Sequence, residues 1–234
     1  MMSISENLQL VQHRIATSAQ AAGRDPTSIT LLAVSKTFDA QAVLTAAQAG
    51  QRAFGENYVQ EAIDKILVTR ELNPNLQLEW HFIGPIQSNK TRQIAEHFDW
   101  VHSVDRLKIA QRLSEQRPAD MPPLQICLQV NVSGEATKSG LEPDALLELA
   151  REVNALPNLR LRGLMAIPEP TEDVEQQRAA FAKLRLMQND LQAVGIPTDT
   201  LSMGMSADMD AAIAEGATIV RIGTAIFGGR DYAK

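Results

Sequence analysis

The chain has 234 residues, 44% of them hydrophobic, a length that supports one large core and an expected single domain over 1–234. Its formal net charge of −6 excludes a generally basic nucleic-acid surface and argues against docking on anionic membranes. Cys127 is the sole cysteine, which rules out an internal disulfide; the opening MMSISENLQL has no basic or apolar leader pattern, and no apolar run reaches membrane length, so a cytoplasmic protein is expected.

Ser3 and Glu6 form a capping-box pattern ahead of Leu8, Val11, Ile15 and Ala19, predicting a first helix that stops near Gly23. A buried parallel strand is expected from Ile29 to Ser35, because the run is short, apolar and flanked by turn residues. Asp39 then caps a helix near 39–48, closed by Gly50. The alternation continues with a strand at Arg52 to Gly55, a helix from Val59 to Leu72, a strand at Glu79 to Ile83 and a helix at Asn89 to Phe98. A short strand near Trp100 to Ser103 and a helix from Asp105 follow, and Pro118, Pro122 and Pro123 interrupt the chain. Strand five is expected at Gln125 to Val132, where Cys127 reads as an inert buried thiol. The remaining elements are a helix at 143–155, a strand at Arg160 to Met165, a long helix through Phe181, Leu184 and Leu191, a strand at Thr200 to Met203, a helix from Ser206 to Glu215 and a strand at Thr218 to Ile222. Eight strands alternating with helices through short turns predict an α/β fold, a closed (β/α)8 TIM-type barrel. The loop from Gly134 to Gly140, polar between glycines, is either a mobile cover for the barrel mouth or an ordinary surface turn.

Active sites of such barrels gather at the C-terminal ends of the strands, and phosphate often binds beyond strands seven and eight. Lys36 sits in the first of these strand-to-helix loops, where it either closes the strand as a solvated charge or serves as an amine nucleophile. In Leu201-Ser202-Met203-Gly204-Met205-Ser206, Gly204 permits a close backbone approach and Ser206, read as the start of a helix, aims its hydroxyl at an anion. Gly223 and Thr224 offer a second turn, with Ala225-Ile226-Phe227 predicted as a short helical segment. Each loop alone is also readable as an ordinary cap or turn; the two together with Lys36 point to pyridoxal 5'-phosphate (PLP). Arg221 ends strand eight facing the mouth, free to pair a carboxylate, hold phosphate or face a heterocyclic nitrogen. Glu56-Asn57-Tyr58 and His81-Phe82-Ile83-Gly84-Pro85 are further pocket candidates. His13, His81, His97 and His102 show no metal-ligand spacing, so no metal is assigned, and the methionines read as core or pocket lining.

LLAVSK at 31–36, FGENYVQE at 54–61, WHFIGPIQSNK at 80–90, RGLMAIP at 162–168, LSMGMS at 201–206 and RIGTAIFG at 221–228 resemble the pyridoxal-phosphate homeostasis family, also called YggS or PROSC, through nearly the whole chain. The resemblance implies a fold-type III barrel like the barrel half of alanine racemase, with Lys36 forming the internal aldimine of PLP. It implies that Ser206, Gly223 and Thr224 hold phosphate, that Arg221 faces the pyridine nitrogen, and that Asn57, Met165, Ser202 and Gly204 line the site. Asp39 departs from the proline that relatives commonly carry after the lysine, which alters the helix start and leaves the lysine assignment intact.

The expectation is therefore a PLP-binding protein in intracellular PLP homeostasis, with no catalytic residues assigned and no turnover of its own. Its expected partners are PLP and, as candidate recipients, PLP-dependent apo-enzymes; no nucleic acid or membrane is expected, and a monomer is. Two enzyme readings remain open. An amino-acid racemase would need a second acid/base group on the opposite cofactor face, and a Schiff-base aldolase would use the same lysine and phosphate loops without the cofactor.

Overall fold

A computed structural model describes residues 2–134 and 139–229. Eight parallel strands close on themselves in sequence order. They are β1 (Thr30–Val34), β2 (Ala53–Glu56), β3 (Glu79–Phe82), β4 (Trp100–Val104), β5 (Leu124–Gln129), β6 (Leu159–Met165), β7 (Thr200–Ser202) and β8 (Ile219–Ile222). Ahead of β1 comes α1 (Ile4–Ala21); between the strands come α2 (Ala40–Gln48), α3 (Val59–Leu72), α4 (Thr91–His97), α5 (Leu107–Gln116), α6 (Leu146–Asn154), α7 (Val174–Ala193) and α8 (Met209–Ala214), and α9 (Thr224–Phe227) follows β8. Closure is made by β1 against β8, with Leu32 opposite Arg221 and Ala33 opposite Ile222, so the first and last strands deliver their loops side by side. Among the described residues, no helix is long and apolar enough to cross a membrane.

The core has two parts. The larger lies between the strands and the helices, where alternate strand residues such as Leu31, Ala33, Phe54, Phe82 and Val101 meet the apolar stripes of the helices. The smaller fills the barrel interior with Leu32, Ala53, Trp100, Cys127, Met165 and Ile219. Burial pushes the Cys127 thiol up to about 12, so it stays protonated, as expected for an inert thiol.

Helix α1 starts on the predicted capping box: the Glu6 amide donates to Ser3 Oγ at 3.2 Å and the Ser3 amide to Glu6 Oε2 at 2.7 Å. Its inner face buries Leu8, Val11, Ile15 and Ala19, the spacing seen in the sequence. Several element ends differ from expectation, among them the start of α6 at Leu146 after a 3-10 turn at Pro143–Ala145, and two bear on the mouth of the barrel. Strand β5 stops at Gln129 rather than Val132, because the returning chain takes over the pairing: the Leu141 amide donates to the Gln129 carbonyl and the Asn131 amide to the Leu141 carbonyl, each at 2.9 Å. Helix α8 begins at Met209 rather than Ser206, because Asp208 Oδ1 accepts from the Met205 amide at 2.7 Å and folds Ser206 to Asp208 into a turn first. The predicted cover loop falls largely on residues 135–138, outside the described residues.

Candidate functional site

At the C-terminal mouth lies a cavity of about 330 Å³, at the small end of ligand pockets. Its wall includes Lys36, Asn57, Ser206, Arg221, Gly223 and Thr224, six of the nine residues expected at the site. Phe38, Ile83, Ile167 and Met205 add an apolar wall. Of these, Phe38 and Ile167 gave no sequence signal as pocket residues; Phe38 is held by stacking on Phe227 of α9, with ring centroids 5.0 Å apart.

Lys36 leaves the barrel just after β1, in a turn whose next residue, Thr37, has φ of 69°. That left-handed backbone is held from α3 and β2. The Thr37 amide donates to Glu61 Oε1 at 2.6 Å, Lys65 Nζ donates to the Ser35 carbonyl at 2.8 Å and to Glu56 Oε1 at 2.6 Å, and Ser35 Oγ donates to the same Glu56 oxygen at 2.6 Å. Burial pushes the Glu56 carboxyl up, and the Lys65 ammonium pulls it back. Glu56 was visible as a pocket candidate from its place after strand two; the structure makes it the underside of the lysine turn instead.

The two turn loops are clamped from outside by α1. Arg14 Nη1 donates to the Ser206 carbonyl at 2.9 Å while Nη2 pairs with Asp210, and Asn7 Nδ2 donates to the Ile226 carbonyl at 2.9 Å. Arg14 and Asn7 carried no signal in the sequence, since both lie on a helix that precedes the barrel. Ser206 stands in the turn before α8, so it faces the cavity without being a helix start. Gly204 lies behind the wall with φ of 99°, and a Cβ there would meet the Ala212 Cβ at 2.6 Å. The close approach it permits is thus to α8 rather than to a ligand.

Ser202 and Met165 also lie outside the cavity wall, fully buried in the barrel. Met165 belongs to the interior apolar cluster, against which the cavity residue Ile83 packs. Ser202 supports Arg221: Arg221 Nη1 donates to Ser202 Oγ at 2.7 Å, and Nη2 to the Ala166 carbonyl at 3.0 Å. Burial pulls the Arg221 guanidinium down to about 10, which still leaves it cationic near neutral pH. Among the described residues, Lys36 and Arg221 are the ionisable side chains in the cavity wall, and no cluster of metal-ligating side chains occurs.

The residues present fit PLP on two counts. Asn57 Oδ1 is buried in the wall with no hydrogen-bond partner, an acceptor left for a ligand. At Gly223 a Cβ would stand 3.1 Å from the Val34 carbonyl, a tight contact that glycine avoids as this cavity-wall loop passes the end of β1.

An eight-stranded barrel with an amine, a buried guanidinium and two short turns at its C-terminal mouth defines a class, and the family described as alanine racemase, N-terminal domain, matches residues 7–231. The pyridoxal phosphate homeostasis protein of Pseudomonas aeruginosa is 66% identical over 232 residues, which cover 99% of this chain and 98% of that one. Its namesake in Escherichia coli is 55% identical over 234 residues, covering both chains fully. The chain belongs to the pyridoxal phosphate homeostasis protein family. Among solved structures, PipY of Synechococcus elongatus with PLP bound is 39% identical with a TM-score of 0.82, over 97% of this chain and 100% of that one. Alanine racemase of Corynebacterium glutamicum, 16% identical with a TM-score of 0.67, shares the fold; this chain spans 62% of it.

Proposed function

We propose that this protein holds PLP covalently through Lys36 and serves the intracellular supply of that cofactor without turnover of its own. The observation that carries this reading is the gathering of Lys36, the Ser206 turn, the Gly223–Thr224 turn and Arg221 around one small cavity. The binding of PLP by the 39% identical PipY supports it. Bound PLP supplies an aldehyde and an electron-withdrawing ring. Lys36 Nζ takes the aldehyde carbon with loss of water, the hydroxyls of Ser206 and Thr224 hold the phosphate, and the Asn57 amide fixes the ring edge. Arg221 presents N–H donors to the ring nitrogen and offers it no proton acceptor, so that nitrogen stays unprotonated and the ring withdraws electrons weakly.

The same wall argues against racemisation. That reaction needs one acid/base group on each face of the substrate, and beside Lys36 the described wall offers only Arg221, already committed to Ser202 and Ala166. The proposal extends to a single-domain, cytoplasmic monomer that passes PLP to apo-enzymes.

The test is the visible spectrum of the purified protein with PLP, before and after borohydride. Wild type is expected to show a reducible lysine adduct that maps to Lys36, and Lys36→Ala to show none while remaining folded by circular dichroism. A trapped adduct at another lysine, Lys138 first among them, would refute the assignment.

A further inference from the structure

Arg221 is the last member of a hydrogen-bonded chain that runs through the barrel to its opposite mouth. Ser202 Oγ lies 2.7 Å from His102 Nδ1, His102 Nε2 lies 2.8 Å from His81 Nδ1, and His81 Nε2 lies 2.7 Å from Glu79 Oε1. Ser202 and both histidines are buried, whereas the Glu79 side chain, at the N-terminal end of β3, is 49% exposed. The chain thus joins the cavity at one end of the barrel to solvent at the other.

Its direction follows from donor and acceptor counting. Arginine only donates and a carboxylate only accepts, so Ser202 Oγ accepts from Arg221 and His81 Nε2 donates to Glu79; with His81 neutral the bonds between them are fixed, and the Ser202 proton goes to His102 Nδ1. His102 is then neutral with its proton on Nε2, which it donates to His81 Nδ1; His81 in turn carries its proton on Nε2 and donates to the Glu79 carboxylate. Burial holds the His102 imidazole well below its ordinary range, so it is neutral, and the hydrogen bond from His81 holds the Glu79 carboxyl below its own, so it is ionised. Uptake of one proton from solvent at the His81 end reverses the chain: doubly protonated His81 donates through Nδ1, His102 must carry its proton on Nδ1, and Ser202 Oγ then faces two donors while its own proton loses its acceptor. Ser202 Oγ can accept from both through its two lone pairs, but a hydroxyl that no longer donates to His102 is a poorer acceptor, and the contact with Arg221 weakens.

We infer that Glu79, His81, His102 and Ser202 form a positioning relay for Arg221, so that the proton inventory at the base of the barrel sets how firmly the guanidinium is held toward the cavity. This inference rests on the reading of the cavity as a PLP site. The charged and titratable groups that face the relay are Asp99 beside Glu79 and His81, with Arg117 beside Asp99, Arg162 over the Trp100 ring and near Glu79, and Cys127 and Asp208 near Arg221. Trp100 stacks on His81 at 5.2 Å and shields it from the side. Among the described residues none of these groups is hydrogen-bonded to His81, His102 or Ser202, and the relay reaches solvent at Glu79.

The first experiment needs no cofactor. Long-range proton–nitrogen correlation NMR of the imidazoles should show His102 as a neutral Nε2–H tautomer, with that preference lost in Glu79→Leu. A His102 Nδ1–H tautomer in wild type would overturn the inference. The second measures PLP dissociation constants and visible spectra across pH. Glu79→Leu, folded and with wild-type melting behaviour, should bind PLP about three- to tenfold more weakly, the size of one hydrogen bond, and should alter the acid limb of the pH profile. Glu79→Gln, whose amide oxygen still accepts from His81, should recover most of the affinity near neutral pH. Wild-type affinity and pH profile in Glu79→Leu would refute the relay. If wild type itself bound no PLP, the proposed function would fail instead, and the tautomers in the unliganded protein would decide the relay on their own.

Discussion

Lys65→Met tests what holds the lysine turn in place. Lys65 and Glu56 are paired at 2.6 Å with side chains 3% and 0% exposed, and Lys65 also binds the Ser35 carbonyl and Glu61. Removing the ammonium while keeping the volume leaves Glu56 as an uncompensated buried carboxylate, a change that costs about 3–5 kcal/mol. The carboxyl escapes by taking up a proton, which from an unfolded value of 4.5 costs about 1.4 kcal/mol for each pH unit above it. The escape is therefore cheap at pH 5, about 1 kcal/mol, and at pH 8 it approaches about 5 kcal/mol, where it no longer helps. A folded carboxyl held above its unfolded value contributes stability below that value and loses it as pH rises through the folded one, so the variant should weaken steadily from pH 5 to pH 8. Urea denaturation at both pH values measures this, and at pH 8 a loss of about 3–5 kcal/mol should appear as a melting temperature lower by roughly 6–20 °C. Glu56→Gln in the same background should remove the pH dependence. A loss below about 1 kcal/mol at pH 8, or one that does not change between the two pH values, would show that the pair is not what secures the turn.

Removing the hydroxyls proposed to hold phosphate, in Thr224→Val or Ser206→Ala, should each weaken PLP about ten- to a hundredfold, at about 1.5–3 kcal/mol per charge-assisted hydrogen bond; equilibrium dialysis checks this, and unchanged constants in both would move the phosphate elsewhere. Gly204→Ala should destabilise the fold by about 1–3 kcal/mol, because φ of 99° strains any side chain there and its Cβ would collide with Ala212; a variant melting like wild type would contradict that crowding. Holoprotein with L-alanine in deuterated water should yield no D-alanine and at most slow exchange of the α-proton; enzyme-like D-alanine, lost in Lys36→Ala, would restore the racemase reading.

The barrel was legible because each of its signals is local: caps such as Ser3 and Asp39, apolar spacing on the helices, and short apolar strands between turn residues. The errors fall where a side chain overrides the local pattern, as Asp208 does before α8, or where a distant segment supplies the pairing, as Leu141 does beside β5. At the site, Lys36, Arg221 and the two turns were legible because strand ends in a closed barrel share one mouth. Layering along the barrel axis was not. Ser202 and Met165 are only a few residues from the mouth in sequence, yet both point into the interior beneath it. His81 was read as a pocket candidate and His102 only as lacking metal-ligand spacing; their meeting depends on the relative height of β3 and β4, which no spacing in the sequence encodes.

The buried polar chain also explains how a guanidinium can occupy the end of an otherwise apolar barrel. Burial alone favours losing the proton, and its effect on Arg221 is visible as the fall to about 10. A buried cation persists when its donors are satisfied and its field is answered. Ser202 and the Ala166 carbonyl satisfy two donors, and the aligned imidazoles extend the response as far as the Glu79 carboxylate at the surface. A carboxylate in the place of Arg221 would make a stronger partner for a protonated ring nitrogen, the arrangement suited to carbanion chemistry. The arginine there, held by Ser202 and the Ala166 carbonyl, offers the proposed ligand N–H donors and no proton acceptor.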